Sequence, residues 1–294
     1  MEKIVVVGWG RMGITHASII GGLYPNRFHF QVVEPNSKIR RILKNTLGYE
    51  CFASINDLDL FNARVLITTP PSYHSTLVKK CLDSGAHSVF VEKPFGLFDK
   101  RVTNDKRIYV GYVLRFSEIT QKLKTIIREE GCQSLTLDYS SNTLTKKPNG
   151  WRNGEYGGVL NEMGSHLIDL ILYLLDGINI EINTKKIESV VSDVDDIVNF
   201  EGKCASKPVS LSLNWTNNQY RKPVWSGKLV TSKREITFDQ QSILTGYQQE
   251  SIDYYVRGRD FSLQMMNFID EGLSIHCDSI QANRVHDVIT TIKG

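Results

Sequence analysis

Short, almost uninterrupted apolar runs alternate with helical patterns over the first third of the chain, as expected for parallel strands buried on both faces and joined by helices. The runs are Lys3 to Val7, Phe28 to Val33, a short one at Glu50 to Phe52, Val65 to Ile67, Ser88 to Val91 and Ile108 to Gly111. Helices are predicted between them from Ile14 to about Gly21, after Glu34, and from Tyr73 to Ser84. Glu118 to Glu130 carries Ile119, Leu123, Ile126 and Ile127 at helical spacing. From Ser134 the pattern changes to loosely alternating segments: Ser134 to Ser140, Lys186 to Val191, Ile197 to Phe200, Pro208 to Trp215, Lys228 to Thr231 and Arg234 to Phe238. These predict a large, mainly antiparallel sheet that needs one face covered. Helical patterns return at Phe261 to Glu271 and Ser279 to Ile292. The predicted class is α/β, with a doubly wound parallel sheet in residues 1–116 and an α+β domain with an open-faced sheet in residues 117–294.

Composition narrows the class without naming a partner. With 294 residues, 41% hydrophobic and 23% charged, the chain can bury two cores and reads as an ordinary soluble protein. A net charge of +3, its bases scattered among acids, supplies neither a nucleic-acid footprint nor a membrane-attracted surface. No apolar run is long enough for a bilayer, and Met1-Glu2-Lys3 leads straight into the first strand. Five cysteines without paired spacing argue against a disulfide framework or a zinc knuckle and predict a reduced, cytoplasmic protein.

Chemistry enters at the strand ends. Gly8-Trp9-Gly10-Arg11-Met12-Gly13 follows the first strand and opens a helix, the setting in which G-x-G-x-x-G holds a dinucleotide pyrophosphate. Gly8 allows the tight turn, Gly10 the approach of the phosphates and Gly13 the packing of helix on strand, with Arg11 and Met12 completing the loop. Glu34 ends the second strand about 20 residues on, where an acid accepts hydrogen bonds from the ribose hydroxyls. That acid also repels a 2′-phosphate, so NAD is expected over NADP; Ser37, Lys38, Arg40 and Arg41 on the next helix offer the alternative of holding such a phosphate, but read first as a solvated helix face. Thr68-Thr69-Pro70-Pro71-Ser72-Tyr73-His74 and Glu92-Lys93-Pro94 are strand ends cut off by proline, which cannot join the ladder. Thr68, Thr69 and Pro70 are placed to line the nicotinamide ribose. His74, in the first turn of its helix, has a packing or hydrogen-bonding role or a cofactor contact, and Glu92 and Lys93 emerge where ligands bind in such sheets.

Val159 to Leu175 reads as a helix buried on most sides, with Glu162, His166 and Asp169 on one face. Three arrangements suit that stripe: a catalytic histidine oriented by a carboxylate, a metal site, or a buried polar network. Metal is the weakest of these, because further ligands are missing.

These motifs, with Val110-Gly111-Tyr112, Arg115-Phe116 and the segment from Trp151 to Asp169, resemble the Gfo/Idh/MocA family of NAD(P)-dependent sugar and polyol oxidoreductases. The resemblance implies that Lys93 is catalytic beside the nicotinamide, that His166 is catalytic, and that Asp169 is structural. It also implies a homo-oligomer, dimer or tetramer, built on the open sheet face. The chain departs from the family in having Glu162 where the pattern has aspartate, and only Phe95 to Arg107 where a long crossover helix is usual. That trimmed connection predicts a sheet edge covered by a partner subunit or by the other domain. Tyr112, Arg115, Trp151 and Arg152 are candidate substrate contacts.

The expected function is hydride transfer between NAD and a secondary alcohol or ketone of a cyclic polyol or sugar, free or nucleotide-linked. His166 would serve as proton acceptor and Lys93 as alkoxide stabiliser, the two sharing one substrate oxygen. The alternatives are a non-catalytic dinucleotide-binding regulator on the same scaffold and an NAD-retaining enzyme that oxidises a glycoside transiently. No metal is expected.

Overall fold

The computed structural model describes residues 1–95, 105–142, 150–154, 156–220, 222–246, 248–251, 256–272 and 275–294. Most of the expected trimmed crossover from Phe95 to Arg107, residues 96–104, lies outside them. The chain divides into two compact units: Met1–Tyr112 with Phe261–Asn283, and Val113–Asp260 with Arg284–Gly294. This differs from a simple division after residue 116, because a late segment returns to complete the first unit.

The first unit contains β1 (Glu2–Val7), α1 (Arg11–Leu23), β2 (Phe28–Val33), α2 (Ser37–Leu47), β3 (Glu50–Phe52), β4 (Arg64–Ile67), α3 (His74–Asp83), β5 (Ser88–Val91) and β6 (Ile108–Val110). The strands form one six-stranded parallel sheet in the order β3-β2-β1-β4-β5-β6, the order of a doubly wound nucleotide-binding fold. Both faces are buried, which is why the strands read as continuous apolar runs. On one face Ile4, Val6, Leu66 and Phe90 pack with Ala17 and Ile20 of α1 and with Met265, Phe268 and Ile269 from the returning segment. Asn36 starts α2 by accepting hydrogen bonds from the Lys38 and Ile39 N–H groups, and Gly48 ends it in the left-handed conformation.

The second unit contains α4 (Glu118–Glu130), β7 (Ser134–Ser140), α5 (Ser165–Leu174), β8 (Ile180–Glu188), β9 (Ile197–Cys204), β10 (Lys207–Asn214), β11 (Val224–Val230), β12 (Glu235–Asp239), β13 (Ser242–Thr245) and β14 (Gln248–Ser251). Its eight strands run in the order β14-β13-β12-β11-β7-β10-β9-β8, antiparallel except for the pair β7/β10. Leu135, Leu137, Val209, Leu211 and Leu213 are buried, and Thr136, Asp138, Ser210 and Ser212 alternate with them at half-buried positions. β13 and β14 went unpredicted: they are short, and β14 is fully exposed, so neither carries an alternating pattern. The boundary between the units falls within α6 (Val256–Asp270) and α7 (Ser279–Lys293). Among the described residues no helix is long and apolar enough to cross a membrane.

Candidate active site

In the first unit, strand register decides which residues meet. Val33, Val7, Ile67, Val91 and Val110 stand abreast across the sheet. The residues that follow them continue the ladder: the N–H groups of Gly8, Thr68, Glu92 and Gly111 donate to the carbonyls of Val33, Val7, Ile67 and Val91, each at 2.9 Å. Glu34, Gly8, Thr68, Glu92 and Gly111 therefore leave the carboxyl edge side by side. The strand order reverses direction between β1 and β4, and the crevice this creates is where doubly wound sheets take their ligands.

The glycine loop fits a dinucleotide. A Cβ on Gly13 would lie 2.2 Å from the Gly8 carbonyl oxygen and 2.9 Å from Thr68 Oγ1, so only glycine allows α1 to begin this close to the sheet. At Gly10 a Cβ would meet nothing within 4 Å, leaving open space over the loop. Gly10 is also the N-cap of α1, with no side chain capping the helix and no acid in its first turn, so the helix N-terminus is left for an anion. Thr68 Oγ1 donates to the Gly8 carbonyl at 2.7 Å, whereas the buried Thr69 Oγ1 has no hydrogen-bond partner among the described residues. Arg11 is exposed, Met12 half-buried and Pro70 exposed at this edge. Glu34 is held beside the loop: Oε2 accepts from the Trp9 N–H at 3.1 Å and Oε1 from the Asn36 N–H at 2.9 Å. Arg40 turns inward, its Nη1 donating to the Glu34 and Pro35 carbonyls at 2.6 and 2.7 Å, while Ser37, Lys38 and Arg41 are exposed.

Lys93 follows β5 at the same edge and is half-buried. Its neighbour Glu92, expected to touch the cofactor, turns into the unit, where Oε1 lies 2.7 Å from Nε2 of the fully buried His16 on α1. Burial works against the Glu92 charge, but the His16 hydrogen bond and the positive field of His16, Lys93 and His74 outweigh it and hold the carboxyl below its ordinary range. His74 takes the packing and hydrogen-bonding role expected of it. Fully buried, it places Nε2 2.9 Å from the Thr69 carbonyl oxygen and Nδ1 3.1 Å from that of Pro94, so both nitrogens face the protein's own backbone. Burial lowers its pKa against the raising effect of those carbonyls and of Glu92. His16 escaped the sequence reading, although Gly13, His16, Ala17 and Ile20 form the buried face of α1 and a polar residue on such a face is a signal of a buried partner.

In the second unit the stripe residues separate by function. The helix that carries them opens as a π-helical turn over Leu160–Gly164, and α geometry begins only at Ser165. Such turns are frequent at functional sites. His166, in the first turn of α5, is 8% exposed. Glu162 Oε2 accepts from Arg152 Nε at 2.9 Å, so Arg152, half-buried, holds this acid. Asp169 is fully buried and takes a fork from Arg115, with Nε to Oδ2 at 2.9 Å and Nη2 to Oδ1 at 2.6 Å, and the guanidinium stacks over the Tyr173 ring at 5.0 Å. Arg115 is 2% exposed, and this assigns it to fastening α5 in place of the expected substrate contact. Tyr112, in the first unit, is likewise buried. The Trp151 side chain lies outside the described residues.

A residue that sequence reasoning missed anchors this helix. Asp195 Oδ2 accepts from the Leu160 N–H at 2.7 Å and the Asp195 carbonyl accepts from the Val159 N–H at 2.8 Å. Gly158 makes the approach possible: φ is +91°, and a Cβ there would lie 2.2 Å from Asp195 Oδ1. Burial pushes the Asp195 carboxyl up, opposed by the Leu160 N–H and by Lys293. Its neighbour Asp196 gathers the N–H groups of Val190, Val191 and Ser192 and the indole N–H of Trp215, fixing the loop that presents Asp195. No local pattern around Asp195 signals this, because its partners lie about 35 residues away in the chain.

Comparisons with known proteins agree with this geometry. Residues 2–106 match the family described as an oxidoreductase family with an NAD-binding Rossmann fold. An uncharacterized protein of Schizosaccharomyces pombe is 30% identical over 149 residues, 44% of this chain and 36% of its own length. Glucose-6-phosphate 3-dehydrogenase of Bacillus subtilis is 24% identical over 233 residues, 70% of this chain and 65% of its own length. The chain thus spans less than two thirds of either relative. Among solved structures, levoglucosan dehydrogenase in complex with NADH and L-sorbose shares the fold with a TM-score of 0.80 at 16% identity, covering 99% of this chain and 96% of that one. The first unit thus matches the NAD-binding Rossmann domain of that oxidoreductase family over residues 2–106, and the chain as a whole shares the fold of the solved structure.

Proposed function

We propose that this chain is an NAD-dependent dehydrogenase that transfers hydride between the nicotinamide and a secondary alcohol or ketone of a cyclic sugar or polyol. The observation that carries this is the row at the carboxyl edge, in which register sets Lys93 two strands from the glycine loop, roughly 10 Å at ordinary strand spacing. NAD, when bound, supplies the hydride acceptor. Gly8 to Gly13 and the uncapped start of α1 hold its pyrophosphate, Glu34 accepts from the adenosine ribose, and Thr68 and Thr69 line the nicotinamide ribose. In the oxidation direction, the role of proton acceptor falls to His166 and that of the cation which offsets growing negative charge to Lys93. Arg152 restrains the Glu162 carboxylate, whose task is to orient His166.

The substrate class draws support from the two named relatives, one called a sugar-phosphate dehydrogenase and the other complexed with a ketose. We extend the proposal to a cytoplasmic homo-oligomer assembled through the half-buried polar face of the eight-stranded sheet, around Thr136, Asp138, Ser210 and Ser212. The experiment is a cofactor-reduction screen with NAD and NADP against free sugars, sugar phosphates and nucleotide-linked sugars. Turnover with NAD on a cyclic sugar is the expected result, and the absence of any NADH formation across all three classes would sink it. Light scattering on the purified chain tests the assembly, a monomeric mass being the outcome against it.

A further inference from the structure

We propose that His74 is a positioning residue for Lys93: its buried ring joins the Thr69 carbonyl at the end of β4 to the Pro94 carbonyl that immediately follows Lys93. The inference rests on the reading of Lys93 as the residue beside the substrate oxygen. The main-chain ladder of β4 and β5 joins these two strand ends at this edge. His74 adds a link between them from α3, with Nε2 at 2.9 Å from Thr69 O and Nδ1 at 3.1 Å from Pro94 O.

The hold depends on proton count. A neutral imidazole has one N–H and one lone pair, whereas both of its nitrogens here face carbonyl oxygens, which only accept. With one proton the ring holds one carbonyl and presents a lone pair to the other; with two protons it holds both. Burial favours the neutral ring, and the two carbonyls and Glu92 favour the second proton. Glu92, from the end of β5, is the charged group that acts on the ring, and Glu92 is itself in the field of His16 from α1 and of Lys93. Acidification therefore tightens the Pro94–Thr69 link and shifts the environment of the Lys93 ammonium.

Lys93 reactivity reads this without a substrate. Trace acylation of the intact protein with acetic anhydride, quantified by mass spectrometry across pH and normalised to the exposed Lys38, gives the accessibility of the Lys93 amine. In His74→Phe, which has no donor, Lys93 labelling should change by about 3- to 10-fold, the factor carried by one hydrogen bond of ordinary net strength. In His74→Gln, whose amide donates two hydrogens and does not titrate, labelling should return towards the parental value and lose any inflection below pH 6.5. Melting curves establish which variants fold, and His74→Gln carries the test if His74→Phe does not. Parental labelling at every pH in folded His74→Phe, or an inflection that survives in His74→Gln, overturns the proposal. Parental turnover in Lys93→Ala would instead overturn the catalytic reading of Lys93 and leave the labelling result standing.

Discussion

Both units place an acid near the residue proposed for chemistry and turn that acid inward, yet they pair it differently. In the first unit Glu92 precedes Lys93 and meets an imidazole, His16; in the second Asp169 follows His166 by one helical turn and meets a guanidinium, Arg115. A guanidinium keeps its charge and offers a fork of donors, whereas an imidazole presents a single ring nitrogen to a carboxylate. The fork on Asp169 is thus a permanent fastening of α5, whereas the edge around Lys93 includes two groups whose pKa the fold lowers, His74 and Glu92. The units also differ in what places the reactive group. Lys93 is set by β register and a backbone carbonyl, His166 by side chains reaching across the unit to its helix.

The sharpest way to break this comparison is to remove the two groups themselves. Lys93→Ala and His166→Ala should each lower turnover by about two to four orders of magnitude while leaving NADH affinity, measured by fluorescence, nearly unchanged. Glu162→Gln should cost less, because its carboxylate acts through His166. Loss of NADH affinity in place of turnover would show that either side chain serves the cofactor.

Next in size is the fastening of α5. Arg115→Ala leaves the Asp169 carboxylate buried without its fork and should destabilise the chain by about 3–5 kcal/mol in urea unfolding. Arg115→Met with Asp169→Leu should recover most of that, since the charge is removed with its partner. A small effect of the single substitution would mean that α5 is held by packing alone.

Cofactor choice should move less. NADH should bind more tightly than NADPH, and Glu34→Ala should narrow the gap by about tenfold or more, hydrogen bonds to a charged group being worth about 1.5–3 kcal/mol. Equal affinities in the parent protein would break the role given to Glu34.

The smallest expected effect is the acid sensitivity of the first unit. His74 has a folded pKa below its unfolded 6.5, so as pH falls under 6.5 the unfolded chain takes up a proton first and stability declines. Glu92 is lowered from 4.5 in the fold, so its contribution is present above 4.5 and is lost as pH falls through the folded value. The melting temperature should therefore drop in two stages on acidification, and His74→Gln should diminish the first stage, to which His286, also lowered from 6.5 by burial, contributes, and leave the second unchanged.

Apolar runs, turn residues and the glycine loop determined the doubly wound sheet, the uncapped helix start after the glycine loop, and the placing of Glu34, Thr68, Thr69 and Lys93 at strand ends. These features are local: a parallel strand buried on both faces, a proline at its end and a glycine-rich turn each leave a contiguous signature. The helix stripe was legible as a face but not as a division of labour, because helical spacing shows which side chains share a side and not what stands opposite each one. Tertiary structure alone decided that Arg115 belongs to Asp169, that Arg152 belongs to Glu162, that His16 meets Glu92, and that Asp195 caps the helix through the space left by Gly158. It also decided that residues 261–283 complete the first unit, since a buried face on a late helix looks the same in sequence whichever core it joins. The partners in each of these pairs are separated along the chain by loops and whole elements. Their meeting is fixed by sheet order, register and close packing, quantities to which no short stretch of sequence has access.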